Sequence, residues 1–275
     1  MPPQKTFLLI FLVVAATFFS LLPEAVAFDH SAWSAFLKKQ VDEKGDVNYR
    51  AIAKDPKPLQ DYLTSLIAVT DLEMQSWPRE ERLAFWLNAY HATLIKLVVE
   101  HYPVSSVQKI PSFWDISLIR FGEVSKDQKQ YSLNDIRTQN LIGVFHDEKI
   151  HLALSMASRG GPRLMPEAFT GPKVEGQLFL LTRQLVNNAA FVDIVLTRKK
   201  IRISKIFKWY GKDFKLDFGT PEPIGKFSAA DTAVLSFLAY YVEDDAKGEF
   251  LHEGQYKIEY PAFDWTLNDH KESGV

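Results

Sequence analysis

The chain of 275 residues contains no cysteine. That absence excludes disulfides, thiol nucleophiles, thiolate metal sites, redox pairs and lipidation of a cysteine. An excess of either charge is also missing: 32 Lys and Arg stand against 34 Asp and Glu, a formal net charge of −2. Such a balance argues against nucleic acid or an anionic membrane surface as a partner. No G-x-S-x-G elbow, phosphate-loop lysine, dinucleotide glycine pattern or HExxH is present, and no D-x-D loop clusters carboxylates. No cofactor and no metal site are therefore expected. The histidines are His30, His91, His101, His146, His151, His252 and His270. Only His146 and His151 are close in sequence, across what reads as a turn-to-strand junction.

What is present begins with an apolar run, Phe7 to Leu22, preceded by the single charge Lys5 and followed by Pro23. Ala25-Val26-Ala27 then supplies a small-x-small cleavage pattern. The reading is a signal peptide over residues 1–27, with an uncleaved anchor as the alternative that the short run disfavours. Beyond it nothing reaches membrane-spanning length. The expected product is an exported protein, most simply periplasmic and alternatively extracellular. Without disulfides its core must hold it together, and 47% hydrophobic with 13% aromatic residues is ample for that. Residues 28–275 carry no repeat, low-complexity tract or linker, which predicts one globular domain. Its oligomeric state is not encoded in any visible pattern.

Arg82–Glu100 (RLAFWLNAYHATLIKLVVE) is long and apolar nearly all the way round, the mark of a central buried helix. Helices are also expected at Ser31–Val41, Leu59–Ile67, Val174–Asn188, Ser204–Phe214 and Ser228–Val242, and another opens at Ser132, where Asp135 gives capping-box spacing. Asp46–Tyr49 reads as a short extended piece. Ile116–Phe121 reads as a strand followed by a turn over Gly122–Gln130. Ile150–Ser155 reads as a buried strand, Phe191–Leu196 with Lys200–Ile203 as a hairpin, and Lys257–Tyr260 as a last strand. Helices outnumber strands without regular alternation, so the expected class is α+β: a helix-rich domain with a small, mostly antiparallel sheet.

The stretch most suggestive of chemistry is HLALSMASRGGPRL, His151 to Leu164, where an apolar run carrying a histidine ends in a glycine-rich bend. His151 is a candidate base, or alternatively a hydrogen-bonded core histidine. Ser155 and Ser158 are the nearby hydroxyls. On a strand, however, Ser155 would stand about 13 Å from His151, too far for direct activation. Arg163 is better suited to binding an anion than to catalysis. Asn88 and His91, one turn apart on the buried helix, either line a pocket or lock the helix to a loop. Asp264 either caps a turn or orients His151, beside Trp265, whose ring is expected to be buried.

Several ordered landmarks together resemble the family known as domain of unknown function 547. They are FWLNAYHATLIKLVVEHYPV (Phe85–Val104), YSLNDIRTQ (Tyr131–Gln139), KIHLAL (Lys149–Leu154), ISKIFKWYGKDF (Ile203–Phe214) and FDWTLN (Phe263–Asn268), with a preamble like FDHSAWSAFLKKQVDEKGDVNYRAI (Phe28–Ile52). The resemblance covers most of the chain after residue 27. It implies cysteines in the glycine-rich loop and an acid-histidine pair in the helix after the capping serine. It also implies a similarity to papain-like or transglutaminase-like folds, in which a histidine activates a thiolate. In this sequence the loop positions are Met156 and Gly161, and the pair falls at Arg137-Thr138.

Two expectations follow. One is a binding module that keeps the family's cleft without its thiol and takes a peptide or a small thiol-containing or carboxylate ligand. Its pocket would use Asn88, His91, His151, Ser155, Ser158, Arg163, Asp264 and Trp265. The other is a hydrolase or acyl transferase in which His151 works with serine or water.

Overall fold

In a computed structural model, which describes residues 28–117, 119–120 and 130–270, an N-terminal group of helices gathers around one buried helix. Helices α1 (Ser31–Gln40), α2 (Tyr49–Lys54), α3 (Lys57–Ile67) and α4 (Asp71–Ser76) lead into α5 (Arg79–Glu100). Every residue of α5 from Leu83 to Ile95 is buried, as its all-round apolarity predicts. Trp33 of α1 is sandwiched between Phe36 and Tyr62, with ring centroids 5.0 Å and 4.8 Å away. The expected extended piece before α2 survives as bridges from Val47 to Val41 and to Asp269. Asn48 then caps α2 by accepting a hydrogen bond from the Ala51 N–H.

Two-residue strands β1 (Ile119–Arg120) and β2 (Gln130–Tyr131) pair antiparallel. The expected signal peptide (1–27), Phe121 of the expected strand, and the turn Gly122–Gln130 as far as residue 129 lie outside the described residues. The Ser132 capping box is present in full. Its hydroxyl accepts from the Asp135 N–H at 3.1 Å, and Asp135 accepts from the Ser132 N–H at 3.0 Å. It opens α6 (Leu133–Asp135), which continues through a π-helical stretch, Ile136–Ile142, into α7 (Gly143–Phe145).

Ile150–Ser155 was expected as a strand and is instead a helical turn, α8 (Ile150–Ala153), with Leu154 in extended conformation after it. A run this short carries no periodicity able to separate the two. The turn sits at a seam. Ile150, Ala153 and Leu154 pack into the core around α5, whereas Leu152 packs into a second core built by the C-terminal half.

That half comprises α9 (Val174–Val186), strands β3 (Val192–Val195) and β4 (Lys200–Ile203), helices α10 (Lys205–Tyr210), α11 (Lys215–Phe218), α12 (Ala229–Tyr241) and α13 (Asp245–Glu253), and strand β5 (Lys257–Glu259). Strands β3 and β4 form the expected hairpin, with Val192 opposite Ile203. Strand β5 joins β4 in parallel, Lys200 opposite Lys257, so the three-stranded sheet is mixed, while the β1–β2 and β3–β4 pairs are antiparallel as expected. The physical reason is the long helical return between β4 and β5, the kind of connection a parallel pair requires. The architecture is helix-rich α+β. Among the described residues no helix is long and apolar enough to cross a membrane.

Candidate functional site

Helical turn α8 places His151 at the seam between the two cores, 3% exposed. Its Nε2 lies 2.8 Å from Asp213 Oδ2, at the end of the turn that follows α10. Its ring lies flat on Tyr210, with centroids 4.1 Å apart and planes within 5°. Burial holds the imidazole below its ordinary pKa, and its hydrogen bond to Asp213 only partly opposes this. The pairing with His151 in turn holds Asp213 below the usual carboxylate range. A neutral ring facing a carboxylate carries its proton on Nε2, leaving Nδ1 as an acceptor. That Nδ1 is buried and has no hydrogen-bond partner among the described residues.

His151 lines a cavity of about 240 Å³. Its other polar lining is Asn134 and Arg137; its walls are Tyr90, Trp114, Leu154, Met156, Trp209, Tyr210 and Trp265. Three of the six tryptophans of the chain thus converge on one hollow. Trp209 is 42% exposed at its mouth and leans on Trp265 with ring centroids 5.8 Å apart. Arg137, on the π-helical stretch, sets its guanidinium carbon 5.1 Å from the Tyr210 ring centroid. It also donates to Asn134 Oδ1 at 3.0 Å. Single π turns inside helices occur often at functional sites, where the extra residue redirects side chains.

The remaining candidates from the sequence divide clearly. Trp265 is in the cavity wall beside His151. Asn88 is not: its amide donates to the Phe169 carbonyl at 2.8 Å and accepts from the Phe169 N–H at 3.0 Å, a reciprocal lock between α5 and a loop. His91 accepts from the Ser155 N–H at 3.1 Å through Nε2, and burial pushes its pKa down to about 3, so it serves the backbone. Ser155 accepts from the Ala157 N–H through its hydroxyl and from the Tyr90 hydroxyl through its carbonyl. Ser155 lies just beyond the helical turn, and among the described residues no hydrogen bond joins its side chain to that of His151.

Ser158 is buried with an unpartnered hydroxyl and lies outside the cavity lining. Arg163 lines a separate groove with Phe179 and Leu180. Asp264 turns its carboxylate onto the Thr266 N–H at 2.9 Å, so the carboxylate beside His151 is Asp213 rather than Asp264. The tail still shapes the site: Gly160 donates to the Asp264 carbonyl and Arg159 to that of Thr266, both at 2.9 Å, which brings Trp265 to the cavity.

Asp213, Tyr210, Asn134, Trp114 and Trp209 were not singled out from sequence. Tyr210-Gly211-Lys212-Asp213 carried one signal, a carboxylate just after a helix-ending glycine, within a stretch already noted for its family likeness. Among the described residues no group of three His, Asp or Glu could hold a metal ion.

Residues 74–185 match the family model described as protein of unknown function, DUF547. This bears out the resemblance over that stretch, and the chain itself has no cysteine. No curated protein and no solved structure matches the chain.

Proposed function

We propose that this chain binds a small ligand in the aromatic cavity beside His151 and does not turn it over. The carrying observation is the cavity lining. It holds an imidazole backed by a carboxylate, yet among the described residues it offers no serine, threonine, lysine or cysteine to be activated. Met156 occupies the position in that lining where the family resemblance implies a thiol. The apolar aromatic walls with a few convergent polar groups are the composition of a ligand pocket, and the volume favours a ligand smaller than a drug. Export to the periplasm or beyond remains part of the proposal, supported by the apolar leader with Ala25-Val26-Ala27 and by the freedom from cysteine. A single domain over residues 28–275 is likewise proposed.

A second reading is favoured by His151 itself. An imidazole held by Asp213 at 2.8 Å, with Nδ1 left as an acceptor, is the arrangement a water-activating base requires. Hydroxyl-directed fluorophosphonate labelling and ester turnover, compared between the wild-type chain and His151→Ala, separate the two. Neither labelling nor turnover is expected in either protein. Turnover by the wild type that disappears in the variant would replace binding with hydrolysis.

A further inference from the structure

We propose that Arg137 makes this cavity a site for a monocarboxylate with a flat apolar body, an assignment that rests on the binding role proposed above. Among the described residues no carboxylate lies within ion-pairing distance of its guanidinium, although the group is half-buried. Its only side-chain hydrogen bond among the described residues is to the neutral Asn134 amide. The nearby carboxylates turn to other donors, Asp115 to Asn134 Nδ2 at 2.6 Å and Asp213 to His151 at 2.8 Å, and Asp213 meets the Arg137 charge only through space. A charge withdrawn from water without a direct counter-ion is an unfilled requirement, and a planar guanidinium satisfies it best with an oxyanion.

The rest of the lining limits which oxyanion. His151 is neutral, and Arg137 is the only cation among the described residues lining the cavity, so a ligand with a single negative charge matches it. A dianionic phosphate would be undercompensated there. Trp114, Trp209 and Trp265 line the same cavity, and aromatic rings suit a planar ligand. Tyr210 stacks on His151 and also packs against Arg137, which holds the guanidinium beside the imidazole. One charge among several aromatic rings selects an arylacetate-like ligand.

The test is isothermal calorimetry on the purified protein with matched acid, amide and amine forms of phenyl, indolyl and cyclohexyl acetates. Acids are expected to bind, with aryl ahead of cyclohexyl. The amide should be weaker on the order of 10- to 100-fold, the worth of a hydrogen bond to a charged group. Arg137→Gln should abolish the acid-over-amide preference while leaving unliganded melting and far-ultraviolet dichroism unchanged. Trp209→Ala, at the exposed mouth, should weaken acid and amide alike. Equal binding of acid and amide, or preference for the amine, overturns the anion assignment and leaves the binding role intact. Absence of binding by every probe overturns both.

Discussion

Met156 and Gly161 lie against each other: a Cβ on Gly161 would stand 3.0 Å from the Met156 Cβ and 3.1 Å from Ser158 Oγ. These are the two loop positions that the family resemblance gives to cysteine, and here they are side by side at the edge of the cavity. The glycine's role is therefore clearance rather than backbone freedom. Gly161→Ala should destabilise the fold by about 1 kcal/mol through overpacking. Met156→Gly in the same chain, which removes that Cβ, should relieve part of that cost. A double-mutant cycle in urea checks this, and strictly additive single effects would show that the two positions do not crowd each other.

A thiol placed at 156 would share the cavity with His151. Met156→Cys should react with iodoacetamide with a midpoint below the ordinary thiol value of about 8.5, because the free Nδ1 of His151 can take the thiol proton and the resulting imidazolium stabilises thiolate. Adding His151→Ala should return the midpoint to that ordinary value. The rate of alkylation against pH is the measurement. If the two profiles coincide, the imidazole does not reach position 156, and the view of this chain as a disarmed catalyst loses its geometric basis.

Asn88 spends both ends of its amide on the Phe169 backbone, at 2.8 Å and 3.0 Å, and is 1% exposed. Asn88→Ala leaves a buried N–H and a buried C=O unpaired and should cost about 2–5 kcal/mol. Asn88→Asp should be no better tolerated, since a carboxylate cannot donate to the carbonyl and would be buried charged. Chemical denaturation measures the loss, and a cost under about 0.5 kcal/mol for the alanine would mean that the loop rests on other contacts.

What could be read from sequence was what local pattern decides. The all-round apolarity of Arg82–Glu100, the Ser132 and Ser228 caps and the Val192–Ile203 hairpin are set by residues within a few positions of one another. The candidate site was only half readable because its members come from far apart. His151 finds Asp213 62 positions away, and Arg137 reaches Tyr210 across 73. Asp264 was the plausible carboxylate by family landmark, but its own turn captures it. Ile150–Ala153 misled because four apolar-flanked residues fit a strand as well as a helical turn. Half-exposed tryptophans such as Trp209 leave no trace in hydropathy.

Acid should weaken this fold through two histidines far from solvent. Burial pushes His30 down to about 4 and His91 down to about 3, against an ordinary 6.5. The folded state therefore refuses protons that the unfolded chain takes up, so their contribution is full above pH 6.5 and is lost as pH falls towards the folded values. For His30, about 2.5 pH units at 1.4 kcal/mol each gives a loss on the order of 3 kcal/mol by pH 4. Glu148 works in the opposite sense: burial pushes its acid up to about 7, so its contribution is present below pH 4.5 and lost as pH rises through 7. The two effects overlap, which is why the comparison must be differential. His30 Nδ1 lies 2.7 Å from the Tyr62 hydroxyl, and His30→Gln retains a polar partner for it without a titrating group. The wild-type advantage over His30→Gln, measured by urea denaturation at half-unit steps, should shrink steadily from pH 6.5 to 4. An advantage constant across that range would mean that His30 takes up its proton in the folded state as readily as in the unfolded chain.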